Sequence, residues 1–378
     1  MIYLDNSATT KPQDDVLKAF QTVATKYFAN PSSIHRMGGE VEELLEKSRT
    51  QIASLLGVDR HEVIYTSGGT ESNNLAIKGV AFQYQNRGSH IITSQIEHPS
   101  VLEACRHLEK VGYEVTYLPV NRKGEVSVEQ LKKVIRKDTI LVTLMHVNNE
   151  IGSVQPIGEI ANVLQDYPKV MFHVDHVQGF GKISIPYNHK GIDLITISGH
   201  KIHGLKGSGC LIKKGQVNLM PLQHGGSQED GYRPGTQNVA NAVALAKAMR
   251  LSMEDAKNYH QLKSLKQTII NELQSYKKVM INSSETGAHH IINFSVQNFK
   301  PEVLIHAFSD EGIVVSTKSA CSSRQNEASH VLLACGKAES DASTAVRVSM
   351  NNHQTKEDIE AFIQAFRNIM SKYEKIMG

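Results

Sequence analysis

Apolar residues along the chain fall into two rhythms. In HRMGGEVEELLEKSRTQIASLLG they recur every three or four positions, the period of a helix with one buried face, and Gly57 closes it. The run EVIYTS that follows is short, β-branched and aromatic, which predicts a strand. The alternation then continues with helix 70–86, strand HIITS, helix 100–111, strand YEVTYL, helix 127–136, strand TILVTLM and helix 156–166. Strands VMFHVDH, DLITIS and GCLIKK complete the series near residue 212. Strands separated by helices imply βαβ crossovers and a mostly parallel sheet covered on both faces.

After about residue 238 the rhythm changes. A long helical stretch, NVANAVALAKAMRLSMEDAKNYHQLKSLKQTIINELQSY, leads into HHIINFSV, then helix PEVLIHAFSDEG, strand IVVST, helix EASHVLLACG and strand AVRVSM. The closing segment TKEDIEAFIQAFRNIMSKYEKIM has helical spacing, with Thr355 placed to cap it. The expected organisation is a large α/β domain over residues 15–250. A smaller α+β domain is built from 1–14 and 251–378. No repeat, low-complexity tract or Ser/Gly linker interrupts it.

Composition narrows the function classes. The 378 residues carry 41 Lys+Arg against 38 Asp+Glu, a net charge of +3, which argues against a nucleic-acid wrapper or a polybasic membrane binder. Four cysteines without a C-x-x-C pair fit neither a disulfide scaffold nor a thiolate zinc site. The start MIYLDNSATT lacks a basic, apolar leader, and no run approaches ~18 apolar residues. The expected setting is a reducing cytoplasm, where a cysteine serves more often by reactivity than by bridging.

In open α/β sheets, ligands sit beyond the carboxyl ends of the strands. Four strand ends here carry polar clusters. Gly68-Gly69-Thr70-Glu71-Ser72-Asn73 opens a helix, where backbone N–H groups and glycines make an anion cradle. It is neither a Walker loop nor a G-x-G-x-x-G fingerprint. Glu97-His98-Pro99 starts a second helix. Asp175 stands in an otherwise apolar strand, and a buried carboxylate needs a cation or strong donors. Ser198-Gly199-His200-Lys201 ends a further strand, and a buried lysine is the side chain that forms Schiff bases.

Taken singly, each cluster has a plain structural alternative: a capped helix, a structural histidine, an ion pair. The H-x-x-H spacings, His173/His176 and His200/His203, lie on strand and turn rather than on one helix face, so no metal is expected. Together the clusters supply what pyridoxal 5′-phosphate requires. They offer a phosphate cradle, a carboxylate for the pyridine nitrogen, a group over the ring and a Schiff-base lysine.

The ordered series YLDNSATT, FANPSSIHRMG, TSGGTESNNLAIKG, HIITSQIEH, MHVNNEIG, FHVDHVQ, SGHKIHG, RPGTQN, SAC and VRVS resembles the class V aminotransferase-like, fold-type I enzymes. Within them it is similar to the cysteine desulfurases of the NifS/IscS type. The resemblance runs nearly end to end. It implies a pyridoxal-phosphate enzyme that takes sulfur from L-cysteine, leaves L-alanine and hands the sulfur to an acceptor protein.

By this resemblance Lys201 binds the cofactor and shuttles the substrate proton, Asp175 keeps the pyridine nitrogen protonated, and His98 stacks on the ring and works as an acid/base. Gln178 meets the phenolic oxygen. Thr70, with Gly69, Ser198 and His200, holds the phosphate. Thr236 would be donated by the partner subunit of a homodimer. Arg347 clamps the substrate carboxylate, and Asn149 contacts both carboxylate and ring. Cys321, in the polar stretch Ser319–Asn326 between a strand and a helix, would accept the sulfur as a persulfide. Cys105, Cys210 and Cys335 fall in helix, strand and helix end, and are read as structural.

Several positions depart from the family pattern. Lys318 replaces a glycine before Ser319, His176 stands where a small alanine is common, RPGT replaces RSGT, and SMNN follows Arg347. The chain ends soon after its last helix, where scaffold-docking members carry a longer tail. That favours a dedicated acceptor, such as a tRNA-thiolation enzyme, over general iron–sulfur cluster assembly. Two alternatives remain at this stage. One is an aminotransferase or selenocysteine lyase-like enzyme on the same fold. The other is a non-catalytic docking homologue.

Overall fold

The computed structural model describes residues 1–317 and 328–377. The chain opens with β1 (Ile2–Tyr3), α1 (Asp14–Lys26) and α2 (Arg36–Leu56), then alternates through β2 (Val63–Thr66), α3 (Gly69–Gln83), β3 (His90–Ser94) and α4 (Pro99–Lys110). Next come β4 (Glu114–Leu118), α5 (Val128–Val134), β5 (Thr139–Met145), α6 (Ile157–Leu164), β6 (Met171–Asp175), β7 (Leu194–Ser198) and β8 (Gly209–Lys213). Strands β2 to β8 form one seven-stranded sheet in the order β2-β8-β7-β6-β5-β3-β4. Its ladders are parallel from β4 through β7, and β8 runs antiparallel to both β7 and β2.

Every residue of β5, β6, β7 and β8 is buried, which is why these strands read as continuous apolar runs rather than alternating ones. The polar side chains among them satisfy one another. His173 links Thr143 Oγ1 at 2.8 Å to Thr196 Oγ1 at 2.9 Å, a three-strand ladder inside the sheet. Such a ring, fully enclosed, stays neutral: burial pushes His173 down to about 3.

The remainder comprises α7 (Val239–Asp255), α8 (Leu262–Gln274), β9 (Val279–Ile281), β10 (Ile291–Val296), α9 (Pro301–Asp310), β11 (Ile313–Val314), α10 (His330–Ala334), α11 (Glu339–Ala342), β12 (Ala345–Ser349) and α12 (Lys356–Met377). Strands β12-β10-β9 form an antiparallel sheet. A second core lies against it, with Phe308 stacked 5.1 Å from Phe362. The amino terminus joins this part: β1 pairs in parallel with β11, and Leu4 is fully buried in the second core. That placement brings residues 5–10 to the mouth of the large sheet.

The structure departs from the sequence reading in a few places. Helix α1 was not expected; Gln13 offers it no side-chain cap, and its start is marked only by Asp14 and Asp15 in the first turn. It is held by burying Val16 and Val23, on the face that meets α7. The long helical stretch after residue 238 is broken by a 3₁₀ segment, Ala256–Gln261, and the IVVST run yields only the two paired residues of β11. Thr355 does cap α12: Asp358 N–H donates to Thr355 Oγ1 and Thr355 N–H donates to Asp358 Oδ2.

Candidate active site

The carboxyl ends of β2, β3, β5, β6 and β7 open onto one pocket lined by Gly69, Thr70, His98, Asn149, Asp175, Gln178, Ser198, His200, Lys201 and Arg347. These are ten of the sequence-predicted residues. The structure brings them together from strand ends, the N-terminus of α3 and β12.

After β2 the chain turns through Gly68, whose φ of 145° only glycine adopts comfortably, into α3. A Cβ on Gly69 would stand 3.1 Å from Val177 Cγ2, so the backbone approaches the pocket wall as closely as a glycine permits. Opposite lies Ser198, whose buried Oγ has no hydrogen-bond partner among the described residues. His200 Nδ1 meets Thr9 Oγ1 at 3.1 Å; burial first, then Lys201 and Lys206, push this histidine down to about 4. A helix N-terminus, a close-packed glycine and an orphaned hydroxyl fit a phosphate group.

Asp175 ends β6 and is 5% exposed. Its Oδ1 accepts from Val177 N–H at 3.0 Å and its Oδ2 from Asn73 Nδ2 at 2.8 Å. The same Asn73 amide donates to Ser100 Oγ at 2.9 Å, and Ser100 Oγ meets His98 Nδ1 at 2.8 Å. His98 is also the N-cap of α4, its Nδ1 accepting from Ser100 N–H. That bond fixes the tautomer: Nδ1 is the acceptor, and the proton of the neutral ring sits on Nε2. Burial lowers the His98 pKa, Asp175 opposes that shift and Lys201 adds to it. The ring is therefore a neutral group at pH 7.

Lys201 Nζ donates to the carbonyls of Ser7 at 2.5 Å and Ala8 at 2.7 Å, and Gln178 Nε2 donates to the same Ser7 carbonyl at 3.0 Å. Arg347, 1% exposed, donates from Nη1 to Asn149 O at 3.0 Å and from Nη2 to Asp5 Oδ1 at 2.8 Å. Its enclosed Nε has no partner among the described residues, and the two bonds leave further guanidinium N–H donors unused. Behind His98, Glu97 is fully enclosed; burial first, with Asp175 adding, pushes its carboxyl up to about 8. It bonds Ser94 Oγ at 2.5 Å and Met145 N–H at 2.8 Å.

One predicted residue lies elsewhere and one is not described. Thr236 is exposed and does not line this pocket, and Cys321 falls outside the described residues. The H-x-x-H pairs do not converge: His173 faces Thr143 and Thr196, His176 faces His146 and Tyr187, His200 faces Thr9, and His203 faces the Lys11 carbonyl. Sequence reasoning missed Asp5, Ser7, Ala8, Asn73 and Ser100. Asn73 stood within the TESNN string, where its helical position hid its role as the donor to Asp175.

The site's residues fit pyridoxal phosphate on their own chemistry: an anion cradle, an enclosed carboxylate with donors on both oxygens, a neutral histidine and a lysine share one cleft. Comparison with known proteins agrees. The class-V aminotransferase family model matches residues 2–362. A NifS/IcsS protein homolog of Lactobacillus delbrueckii subsp. bulgaricus is 44% identical, covering 100% of this chain and 99% of that protein. The cysteine desulfurase IscS of Dictyoglomus turgidum is 42% identical over 99% of this chain and 96% of its own length. Among solved structures, a NifS-like protein superposes with a TM-score of 0.92 at 35% identity, covering 98% of this chain and 99% of that one.

Proposed function

The chain belongs to the class-V aminotransferase family and is a pyridoxal-phosphate-dependent cysteine desulfurase of the NifS/IscS type; we propose that Lys201, His98, Asp175 and Arg347 carry its chemistry and that Cys321 receives the sulfur. The observation that supports this assignment is the convergence of Lys201, His98, Asp175 and Arg347, from four separate elements, on one pocket. When bound, pyridoxal phosphate supplies an electron sink for the pair released at the substrate α-carbon.

The protein's own residues do the rest. Arg347 holds the substrate carboxylate with its guanidinium, whose plane is fixed by Asp5 and the Asn149 carbonyl. Asp175 keeps a proton on the pyridine nitrogen, and the Asn73 and Val177 donors keep that carboxylate in position. Lys201 Nζ takes the α-proton and later returns one, while the Ser7 and Ala8 carbonyls provide its resting place. The neutral His98 offers Nε2–H to the ring face. Cys321 attacks the substrate sulfur as a thiolate: a sulfur–sulfur bond forms, the carbon–sulfur bond breaks, and carbon keeps the electron pair and is protonated to alanine.

The working unit is a homodimer in which Thr236 of each copy completes the phosphate site of the other. Its exposure supports this, as do the exposed apolar side chains Leu17, Phe28, Ile34 and Met37 in the first forty residues. Among the described residues no helix is long and apolar enough to cross a membrane. The proposed setting is the cytoplasm, with a sulfur-acceptor protein as recipient, either a tRNA-thiolation enzyme or a component of iron–sulfur cluster assembly.

The test measures alanine from L-cysteine by cofactor-loaded protein with reductant, wild type beside Cys321→Ser. Alanine from the wild type and almost none from the variant is the expected result; equal sulfur transfer by both would overturn the role of Cys321. Radiolabelled sulfur offered to a tRNA-thiolation enzyme and to an iron–sulfur scaffold in parallel then identifies the recipient.

A further inference from the structure

Strand β2 is an edge of the large sheet, so one side of its backbone faces no strand. Two side chains take the place of the missing neighbour. Arg49, on α2, donates from Nη1 to the Val63 carbonyl at 2.5 Å, and Glu229 Oε2 accepts from the Tyr65 N–H at 2.8 Å. The two side chains are joined by a bidentate pair of hydrogen bonds, Nη1 donating to Oε2 and Nη2 to Oε1, each 2.8 Å. Both are enclosed, Arg49 at 10% and Glu229 at 2% side-chain exposure, and the guanidinium lies 4.9 Å from the centre of the Tyr65 ring.

The segment that brings Glu229 here is strained. Glu229 and Asp230 have φ of 51° and 53°, a left-handed conformation that non-glycine residues adopt at a cost. A buried ion pair is weak evidence for stability by itself. A strained backbone holding a buried charge at one spot is evidence that the placement matters.

Four residues further on, Arg233 Nε donates to Glu71 Oε1 at 2.9 Å, and Glu71 Oε2 accepts from Ser67 N–H at 2.6 Å. The same segment thus grips the Ser67–Thr70 turn on both sides: at Tyr65 just before it and at Glu71 just after. Glu71 would otherwise set an uncompensated negative charge at the helix end offered to a phosphate, and Arg233 neutralises it. Thr236 lies three positions beyond Arg233 on this tethered stretch.

We infer that Arg49 and Glu229 are positioning residues for the cofactor: their pair seats residues 229–236 on the free edge of β2, so that this segment fixes the phosphate turn from outside and presents Thr236 to a second copy of the chain. The inference rests on the reading of Ser67–Thr70 as the phosphate turn.

The experiment titrates pyridoxal phosphate into apoprotein and reads the dissociation constant for Glu229→Gln, which keeps an acceptor for Tyr65 N–H but loses the charged fork, and for the less buried Arg233→Met. Circular dichroism and thermal midpoints establish that each is folded. The expected result is a cofactor affinity at least tenfold weaker in both, with the cysteine KM at saturating cofactor within twofold of wild type. Folded variants that bind the cofactor as wild type does, with only a lowered midpoint, would reduce the pair to a structural role and overturn the inference. Thr70→Ala separates the two readings. Weakened binding there with unchanged Glu229→Gln and Arg233→Met overturns the positioning role alone. Unchanged binding in Thr70→Ala overturns the phosphate turn and the positioning role together.

Discussion

Arg347 and Asp5 lie 342 positions apart and meet at 2.8 Å, at the wall that Arg347 gives to the pocket. One comes from β12 and the other from the stretch just after β1, which reaches the site because β1 pairs with β11. The ion pair therefore ties the two termini of the chain to the catalytic cleft.

Removing Asp5 leaves a guanidinium that is 1% exposed without its counter-charge. Breaking a buried pair on one side costs about 3–5 kcal/mol, whereas replacing both partners by apolar groups costs far less. Asp5→Ala is therefore expected to be markedly less stable in urea than wild type, and Asp5→Ala with Arg347→Met to recover much of the loss. A double variant no more stable than the single one would show that the ion pair carries no coupling.

Arg347→Lys keeps the charge but not the fork. Lysine is a point cation with no planar geometry to share between Asn149, Asp5 and a carboxylate. Loss of one charge-assisted hydrogen bond is worth about 2 kcal/mol, a factor of ~30. Steady-state kinetics should show that factor in the cysteine KM, with cofactor affinity unchanged, because Arg347 touches the substrate side of the pocket.

How much of this was legible in the sequence depended on how local the signal was. The strands β5 to β8 were plain because burial on both faces leaves uninterrupted apolar runs. Asp175, His98 and Lys201 stood out as polar residues at strand ends. Asp5, Ser7 and Ala8 did not, since Ser7 and Ala8 act through backbone carbonyls and all three meet partners 171 or more positions away. Asn73 was quoted with the anion cradle at the start of α3, but nothing in that string showed that its amide reaches across to Asp175. The Arg49–Glu229 contact joins a helix to an irregular loop, and no spacing rule connects them.

Buried neutral histidines make stability depend on pH. Burial pushes His146 down to about 4 and His173 to about 3, and holds His176 and His290 well below the ordinary value. In the unfolded chain all four titrate near ~6.5. Below that value the unfolded state binds more protons, so stability is present above it and is lost as pH falls towards about 4. Glu97, raised to about 8, works the other way by one proton. These four histidines against Glu97 leave three protons, about 4 kcal/mol per pH unit where all titrate; His200, pushed down to about 4, adds to that slope and Asp193, raised to about 6, opposes it. Urea midpoints should fall steeply between pH 6.5 and 5, and His173→Gln should flatten the slope by one proton; a flat profile would refute the neutral histidine cluster.

His176 also dictates its neighbour. Its Nδ1 lies 3.0 Å from His146 Nδ1, so one of the two nitrogens must donate and the other accept, and its Nε2 lies 3.1 Å from Tyr187 OH. Gly179 sits directly against this pair. A Cβ there would fall 2.7 Å from both Cε1 and Nδ1 of His176, and closer still to His146 Nδ1, distances at which the rings must move. Both rings are fully enclosed, so they cannot swing away cheaply. Overpacking of this kind costs about 1–3 kcal/mol. Gly179→Ala should therefore lower the unfolding free energy read from urea titration by that amount. His176→Ala combined with it should restore much of the loss, because the methyl then occupies space the imidazole vacated and His146 is free to turn. Tryptic protection, read alongside, should follow the same order. A double variant as unstable as Gly179→Ala alone would show that the His146 ring, or the backbone at Gly179, sets the limit instead of His176.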